Sequence, residues 1–209
     1  MANIRKTSMT AQVYDVIKEK ILSQEYDLGQ PVNITAVSRE LDVSNTPIRE
    51  ALMRLEAEGL VTSDLNKKVR VIDIDDAFKK EVDYFFFTLY SGSYMTCRLQ
   101  GRIPALISLM EEAMACQMET LAAEDYPAFT QAAISFDRCF VAATENQRLL
   151  TYHDQVSPIL SLLTRYEHQK AAPNREDNLR QHRQILEAIK SDDVDSVITV
   201  LYAHYDQRL

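Results

Sequence analysis

The sequence predicts a mainly α-helical protein with one short β-hairpin, and three observations lead to this fold class. Glycine and proline are scarce, with 4 and 6 in 209 residues, so long segments can remain helical. Apolar residues recur at helical spacing along most of the chain. Residues 60–74 (LVTSDLNKKVRVIDI) instead alternate with period two around a polar tip, which is typical of a hairpin.

The composition is that of a globular protein, with 46% hydrophobic and 26% charged residues. The sequence has no apolar run of 18 residues, and its N-terminus lacks the apolar segment of a secretory signal, so we expect no membrane span and no signal peptide. The cysteines Cys97, Cys116 and Cys139 are odd in number and widely spaced. They favour reduced thiols in a cytoplasmic protein.

The first part of the chain is predicted to contain three helices followed by the hairpin. We expect these helices over residues 10–23, 34–41 and 45–58. Val13, Ile17 and Ile21 give the first helix one apolar face. Gly59 stands where a helix C-terminus favours glycine. Three helices and a two-stranded wing form a winged helix-turn-helix.

Capping residues cluster at the start of the third helix. Ser44, Asn45 and Thr46 are all good N-cap types, and Pro47 suits a first helical turn. A helix-turn-helix reads the major groove by presenting such polar N-terminal side chains outward. The same spacing also fits an ordinary helical hairpin in a core, because the pattern is short and degenerate.

The two faces of this helix differ in polarity. Ile48, Leu52 and Leu55 fall at i, i+4 and i+7 and should pack inward. Arg49 points elsewhere, where a guanidinium can pair with guanine or a phosphate. The alternative for Arg49 is a surface salt bridge with a neighbouring acid such as Glu56, which contributes little.

Charge is distributed unevenly along the chain. The net charge is −8, yet residues 1–72 carry 10 basic and 10 acidic side chains and are neutral. All of the excess acidity belongs to residues 73–209. A neutral first part can still bind DNA phosphates through local clusters of lysine and arginine, and dimerisation would help.

The rest of the chain is predicted to be a short linker and an all-helical bundle. The linker spans residues 73–78. Helices are expected over residues 79–100, 102–124, 127–144, 147–168, 175–190 and 193–207. The natural functional site of such a bundle is a cavity between facing helices.

Four segments of the chain match one known family. In the first part they are QVYDVIKEKILSQEYDLGQPV and ITAVSRELDVSNTPIREALMRLEAEGLV. In the second part they are FDRCFVAATENQRLL and HRQILEAIKSDDVDSVITVLYAHYDQ. Through these segments the chain resembles the GntR-type bacterial transcription regulators, in the FadR subfamily with a helical FCD effector domain. The resemblance implies a winged-helix DNA-binding domain over 1–72 and an effector-binding and dimerisation domain over 79–209.

The resemblance implies a set of DNA-binding residues in the first domain. They are Thr35, Ser44, Asn45, Thr46, Arg49, Arg54, Lys67, Lys68 and Arg70. The family often has arginine where Thr35 and Asn45 stand, and often a glycine at the wing tip. Asn45 either pairs with adenine or only caps the helix. The threonines and the wing cations are expected to contact phosphates.

The resemblance also implies a metal and effector site in the second domain. Family members often hold a metal with an Asp, a His four residues later, and two further histidines. His182 and His204 match the last two, whereas Ala133 replaces the Asp and Asp137 replaces the first His. Asp137, His182 and His204 could hold zinc or nickel with open positions. Alternatively, the histidines are core residues or bind an organic anion directly.

Some features receive no definite role. His153 and His168 are treated as surface or pocket residues. The aromatic run Tyr84–Phe87 and Tyr90 is assigned to the core or a dimer interface. The first effector-domain helix lacks the family's Arg and Glu before Arg98, so the effector pocket could be degenerate.

The function that these observations favour is a cytoplasmic, homodimeric transcription regulator. It would bind a near-palindromic DNA operator, usually as a repressor, and respond to a small carboxylate. Two alternatives stay open: a small metal-dependent hydrolase that uses the Asp137, His182 and His204 cavity, or a constitutive DNA-binding protein. No Walker loop, nucleophile elbow or dinucleotide fingerprint is present in the sequence.

Overall fold

A computed structural model of the chain describes residues 8–64, 68–170 and 174–206, and describes the backbone alone for 167–170 and 174. Within these ranges it contains nine α-helices and one two-stranded antiparallel sheet. The chain divides into two compact units, Met1–Ile74 and Asp75–Leu209. The predicted fold class, a winged helix-turn-helix followed by an all-helical domain, is confirmed.

The first unit is a three-helix core with a small wing. Its elements are α1 (Met9–Leu22), α2 (Ile34–Leu41), α3 (Asn45–Ala57), β1 (Val61–Ser63) and β2 (Val69–Val71). The predicted apolar faces form the core: Ile17 and Ile21 of α1 and Ile48 and Leu55 of α3 are all fully buried. Gly59 ends α3 with φ +76°, a left-handed conformation that glycine adopts without strain.

The wing pairs Val61 with Val71 and Ser63 with Val69. A third segment joins its outer edge. The N–H of Val32 donates to the carbonyl of Val69 (2.9 Å), and the N–H of Val71 donates to the carbonyl of Gln30 (2.9 Å). The sequence analysis predicted no strand there, because Gly29 and Pro31 interrupt any alternation of polar and apolar residues.

The second unit is a six-helix bundle. Its helices are α4 (Asp76–Leu99), α5 (Ile103–Ala122), α6 (Tyr126–Ala142), α7 (Gln147–Lys170), α8 (Asn174–Lys190) and α9 (Val194–Asp206). Helix α6 lies at the centre, in contact with α4, α5, α7 and α8, and α9 packs against α4 and α8. No helix of the described ranges is both long and apolar enough to cross a membrane.

Helix α4 begins at Asp76, three residues earlier than the sequence predicted. The Asp75 carboxylate accepts a hydrogen bond from the N–H of Phe78 (2.7 Å) and caps the helix. The division between the units falls between Ile74 and Asp75. The expected linker over 73–78 therefore overlaps the first turn of α4.

The aromatic run in α4 divides between core and surface. Phe86 and Tyr90 are 1% and 0% exposed, whereas Tyr84 and Phe85 are 45% and 50% exposed. Gly92 follows on the same helix and is exposed. A Cβ added there would meet no atom within 4 Å.

Candidate nucleic-acid interface and candidate metal site

The first turn of α3 exposes its polar side chains. Ser44 occupies the N-cap position with φ −69° and ψ 165°, but its hydroxyl makes no capping hydrogen bond. Asn45 and Thr46 are the first two residues of the helix, and both are exposed. Asn45 is therefore not the cap, and its amide is available to a molecule in front of the helix.

Arg49 lies one turn further along α3 and is exposed. Two glutamates on the same helix are bonded to other residues. Glu50 accepts a hydrogen bond from the hydroxyl of Thr10 (2.7 Å). Glu56 accepts from the N–H (3.1 Å) and the hydroxyl of Ser63. In the described part of the chain Arg49 makes no ion pair, so the salt-bridge alternative has no support in this geometry.

Arg54 differs from Arg49 because it packs within its own unit. Its guanidinium carbon lies 3.9 Å from the centre of the Tyr14 ring. The Tyr14 hydroxyl donates to Glu58 (2.6 Å), and Lys18 bonds to both of them. Burial, together with the hydrogen bond to Glu58, raises the pKa of Tyr14. Arg54, a predicted DNA-binding residue, is exposed and also packs on Tyr14.

Helix α2 carries an exposed arginine, Arg39, that is not among the predicted DNA-binding residues. Thr35 and Arg39 are both exposed and stand one turn apart on the same face. Its spacing of four residues from Thr35 is the sequence signal that could have added Arg39 to the candidate DNA-binding residues.

The wing presents one exposed cation in the described residues of its tip. Lys68 is exposed, and its backbone N–H donates to the carboxylate of Asp64 (3.0 Å). The Arg70 guanidinium donates to the carbonyl of Gly29 (3.3 Å), so it helps to hold the wing in place. Lys67, a predicted phosphate contact, lies outside the described residues.

Three chemically suitable side chains converge in the second unit. Asp137 of α6, His182 of α8 and His204 of α9 are 2%, 0% and 1% exposed. One potential ligand atom from each lies within 4.8 Å of the others. Nε2 of His182 is 3.7 Å from Oδ1 of Asp137. The fold therefore brings together the three residues that the sequence analysis selected.

This arrangement fits a divalent cation. Two ligands at about 2.0–2.1 Å from a tetrahedral zinc lie about 3.3 Å apart, so the 3.7 Å separation needs to shorten by only a few tenths of an ångström. Ala133 lies one turn before Asp137 on α6 and is buried. Because alanine offers no donor, two nitrogens and one carboxylate leave further coordination positions to other ligands.

Glutamine amides flank both histidines. Nδ1 of His182 is 2.9 Å from Oε1 of Gln117, and Nδ1 of His204 is 2.7 Å from Oε1 of Gln181. The His182 ring also stacks on Phe136, with ring centres 4.2 Å apart. The imidazoles are therefore fixed in position as well as buried.

The thiol nearest along the chain, that of Cys139, is not part of the group of possible ligands. Burial, with the adjacent Asp137 carboxylate, raises the pKa of Cys139 to about 12. Without a bound ion, this group stays protonated at neutral pH. Its Sγ lies 3.2 Å from the carbonyl of Ser135, to which the thiol donates.

His153 is buried rather than on the surface. Its Nε2 lies 2.9 Å from the Tyr90 hydroxyl, and its Nδ1 lies 3.1 Å from Oδ1 of Asp154. Arg138 forms a two-pronged ion pair with Asp154, at 2.7 and 2.8 Å. Burial lowers the pKa of His153, although the bond to Asp154 opposes this shift. The side chain of His168 lies outside the described residues.

Comparisons with known proteins agree with both units. Residues 9–71 match the family described as bacterial regulatory proteins, gntR family, and residues 100–207 match the FCD domain. The "Probable D-xylose utilization operon transcriptional repressor" of Paenarthrobacter nicotinovorans is 24% identical over 206 residues, which cover 96% of this chain and 87% of that protein.

Two solved structures share the fold. One is a putative transcriptional regulator GntR from Rhodococcus sp. RHA1, with a TM-score of 0.72 and 18% identity. The other is E. coli McbR/YncC, with a TM-score of 0.70 and 18% identity. Each match covers 96% of this chain and 95% of the other. With an FCD match over half of its length and a gntR match over its first unit, the chain belongs to the GntR family of bacterial DNA-binding transcription regulators and carries an FCD domain.

Proposed function

We propose that two copies of this chain form a homodimer that represses transcription at a near-palindromic operator. Each α3 enters a major groove with Asn45, Thr46 and Arg49 towards the base edges, while Thr35 and Lys68 contact phosphates. The supporting observation is the exposed guanidinium of Arg49, beside glutamates that are bonded elsewhere. Two copies related by a two-fold axis suit an operator with the same symmetry.

Selection from a random duplex library with the full chain identifies a preferred operator. Arg49→Ala is then expected to weaken binding to that duplex by roughly 5-fold to 150-fold, the cost of one bidentate base contact of about 1–3 kcal/mol. Arg183→Ala, which removes an exposed arginine from α8, is the matched control and should bind as the parent does. Equal affinity of Arg49→Ala and parent would remove Arg49 from this role.

The same duplex separates base contacts from phosphate contacts. Lys68→Ala should weaken binding to all sequences alike and reduce the slope of log affinity against log salt by about 1. Arg49→Ala should instead reduce the preference for the selected sequence. If Lys68→Ala changed the sequence preference, the assignment of the wing to phosphates would be wrong.

We further propose that Asp137, His182 and His204 bind one zinc or nickel ion, and that this site receives a small carboxylate effector. The support comes from the convergence of two imidazoles and a carboxylate in a buried position, a donor set that suits these ions. A bound ion supplies positive charge for a carboxylate. Effector binding then favours one arrangement of the two reading heads over another.

Metal content tests this part of the proposal. Protein purified without chelator is analysed by plasma mass spectrometry beside Asp137→Ala and His182→Ala. About one ion per chain that both variants lose would support the site, with Asp195→Ala as the control for an exposed acid on α9. No ion in the parent, even after zinc or nickel is supplied, would contradict it.

We also propose that the protein regulates rather than catalyses, and that it acts in the cytoplasm, where bacterial operators are found. Repression is supported by the name of the relative from Paenarthrobacter nicotinovorans. A reporter gene behind the selected operator should be silenced by the parent and released by Arg49→Ala. Zinc-dependent turnover of simple esters or phosphate esters, lost in His182→Ala, would instead favour a hydrolase.

A further inference from the structure

The two histidines of the candidate metal site share one hydrogen-bond pattern. In each, Nδ1 faces the side-chain oxygen of a glutamine, Gln117 for His182 and Gln181 for His204. An amide oxygen only accepts hydrogen bonds, so each Nδ1 must carry the proton. In the neutral imidazole the other ring nitrogen, Nε2, then has the lone pair that a metal needs.

The orientation of Gln117 is itself fixed by a third amide. Its Nε2 donates to Oδ1 of Asn178 at 2.7 Å, which leaves its Oε1 to accept from His182. Gln117 is 0% exposed and Asn178 is 7% exposed. Both amides are buried. Turning Gln117 over would break both contacts, and turning Asn178 over would break the contact with Gln117.

The geometry at Nε2 of His182 completes the argument. This nitrogen faces Oδ1 of Asp137 at 3.7 Å, which is longer than a hydrogen bond. The pair is thus not arranged for a direct bond, but it is close to the spacing of two ligands on one ion.

We propose that Gln117 and Gln181 are positioning residues that hold His182 and His204 in the Nδ1–H tautomer, so that both present Nε2 to a divalent cation shared with Asp137. Asn178 serves the site indirectly by orienting Gln117. This inference rests on the metal site of the proposed function. Mutation of residues that hold metal-bound histidines in this way typically weakens metal affinity 10- to 100-fold.

The first readout is the tautomer itself, measured in the metal-free full chain by nitrogen NMR of labelled histidine at about pH 8, above the usual imidazole pKa of about 6.5. Both His182 and His204 should carry the proton on Nδ1 in the parent. Gln117→Leu should alter the tautomer signal of His182 alone, and Gln181→Leu that of His204 alone. Gln184→Leu, an exposed glutamine on the same helix as Gln181, should alter neither.

The second readout is affinity for zinc alone, measured by competition with a chromophoric chelator. Gln117→Leu and Gln181→Leu should each bind zinc about 10- to 100-fold more weakly than the parent. Gln117→Glu should restore binding, because a carboxylate still accepts from Nδ1–H and the amide of Asn178 can turn to donate to it. Gln181→Leu, at a half-buried position, keeps the test decisive if Gln117→Leu fails to fold.

The outcomes separate this inference from the proposal beneath it. Parental tautomers and parental zinc affinity in both leucine variants would overturn the positioning role while leaving the metal site in place. No zinc binding by the parent would refute the metal site and, with it, the delivery of Nε2 to a cation. In that case the tautomer signals alone would decide whether the glutamines fix the rings.

Discussion

The two units place their functional side chains in opposite environments. On α3, Asn45, Thr46 and Arg49 are exposed on a helix whose other face forms the core. In the bundle, Asp137 and His182 are almost fully buried. An exposed contact residue can change with little effect on folding, whereas a buried polar group is coupled to stability through its desolvation and its partners. Binding and stability should therefore separate in the first unit and move together in the second.

The largest expected effect is metal-dependent stabilisation through the bundle. Zinc at 100 times its dissociation constant should raise the free energy of unfolding by about 2.7 kcal/mol. Thermal unfolding followed by circular dichroism, with and without zinc, measures the shift. Asp137→Ala should abolish it, whereas Arg49→Ala should keep it. A shift that survives in Asp137→Ala would mean that zinc binds elsewhere.

A second large effect is the pH dependence contributed by His153. Its folded-state pKa lies below the usual 6.5, so the unfolded chain binds more protons as the pH falls below about 6.5. The free energy of unfolding should then decrease with falling pH, by up to about 1.4 kcal/mol per pH unit from this group.

Urea unfolding at a series of pH values measures this contribution. His153→Gln keeps polar groups towards Tyr90 and Asp154 but cannot titrate, so its stability should depend less on pH between about 6.5 and 5. Identical pH profiles for parent and variant would show that His153 titrates alike in both states.

A smaller effect contrasts two arginines of α3. Arg54→Ala should lower the stability of the first unit by about 1 kcal/mol, because its guanidinium stacks on Tyr14. Arg49→Ala should change stability by less than about 0.5 kcal/mol while weakening operator binding. Urea unfolding and duplex titration of both variants test the contrast. It would fail if Arg54→Ala left stability unchanged.

The smallest effect concerns Gly92, which lies exposed within α4. Gly92→Ala should raise the free energy of unfolding by about 0.5–1 kcal/mol, because alanine loses less backbone entropy and its Cβ meets open space. Thermal unfolding detects the gain. A loss of stability would mean that a helix of a second copy of the chain packs against this position. Sedimentation of the variant would then show a change in oligomeric state.

Much of the fold could be predicted because it rests on local periodicity. The inward face of α3 and the hairpin over 60–74 follow from residue spacing alone. The predicted start of α4 was three residues too late. The cap depends on a hydrogen bond to the side chain of Asp75, which residue spacing does not show. The predicted helix over 147–168 includes Pro158, and α7 does continue through this proline.

The candidate sites divide in the same way. The family motif selected Asp137, His182 and His204, which the fold brings together from three helices. Gln117 and Asn178 are 61 residues apart, and single glutamines and asparagines carry no pattern that marks a buried network. The contact between Tyr90 and His153 spans 63 residues. Such pairs depend on helix packing, which periodicity within one helix does not encode.

The cysteines offer a direct way to observe the bundle at work. Cys97 and Cys139 are buried, whereas Cys116 is exposed on α5. A thiol reagent should therefore attach a fluorophore selectively to Cys116, without engineering the chain. That label would sit on the outer face of the helix, one residue before the buried Gln117. An effector that shifts α5 would change the emission of such a reporter, so candidate metabolites could be screened before the operator is known.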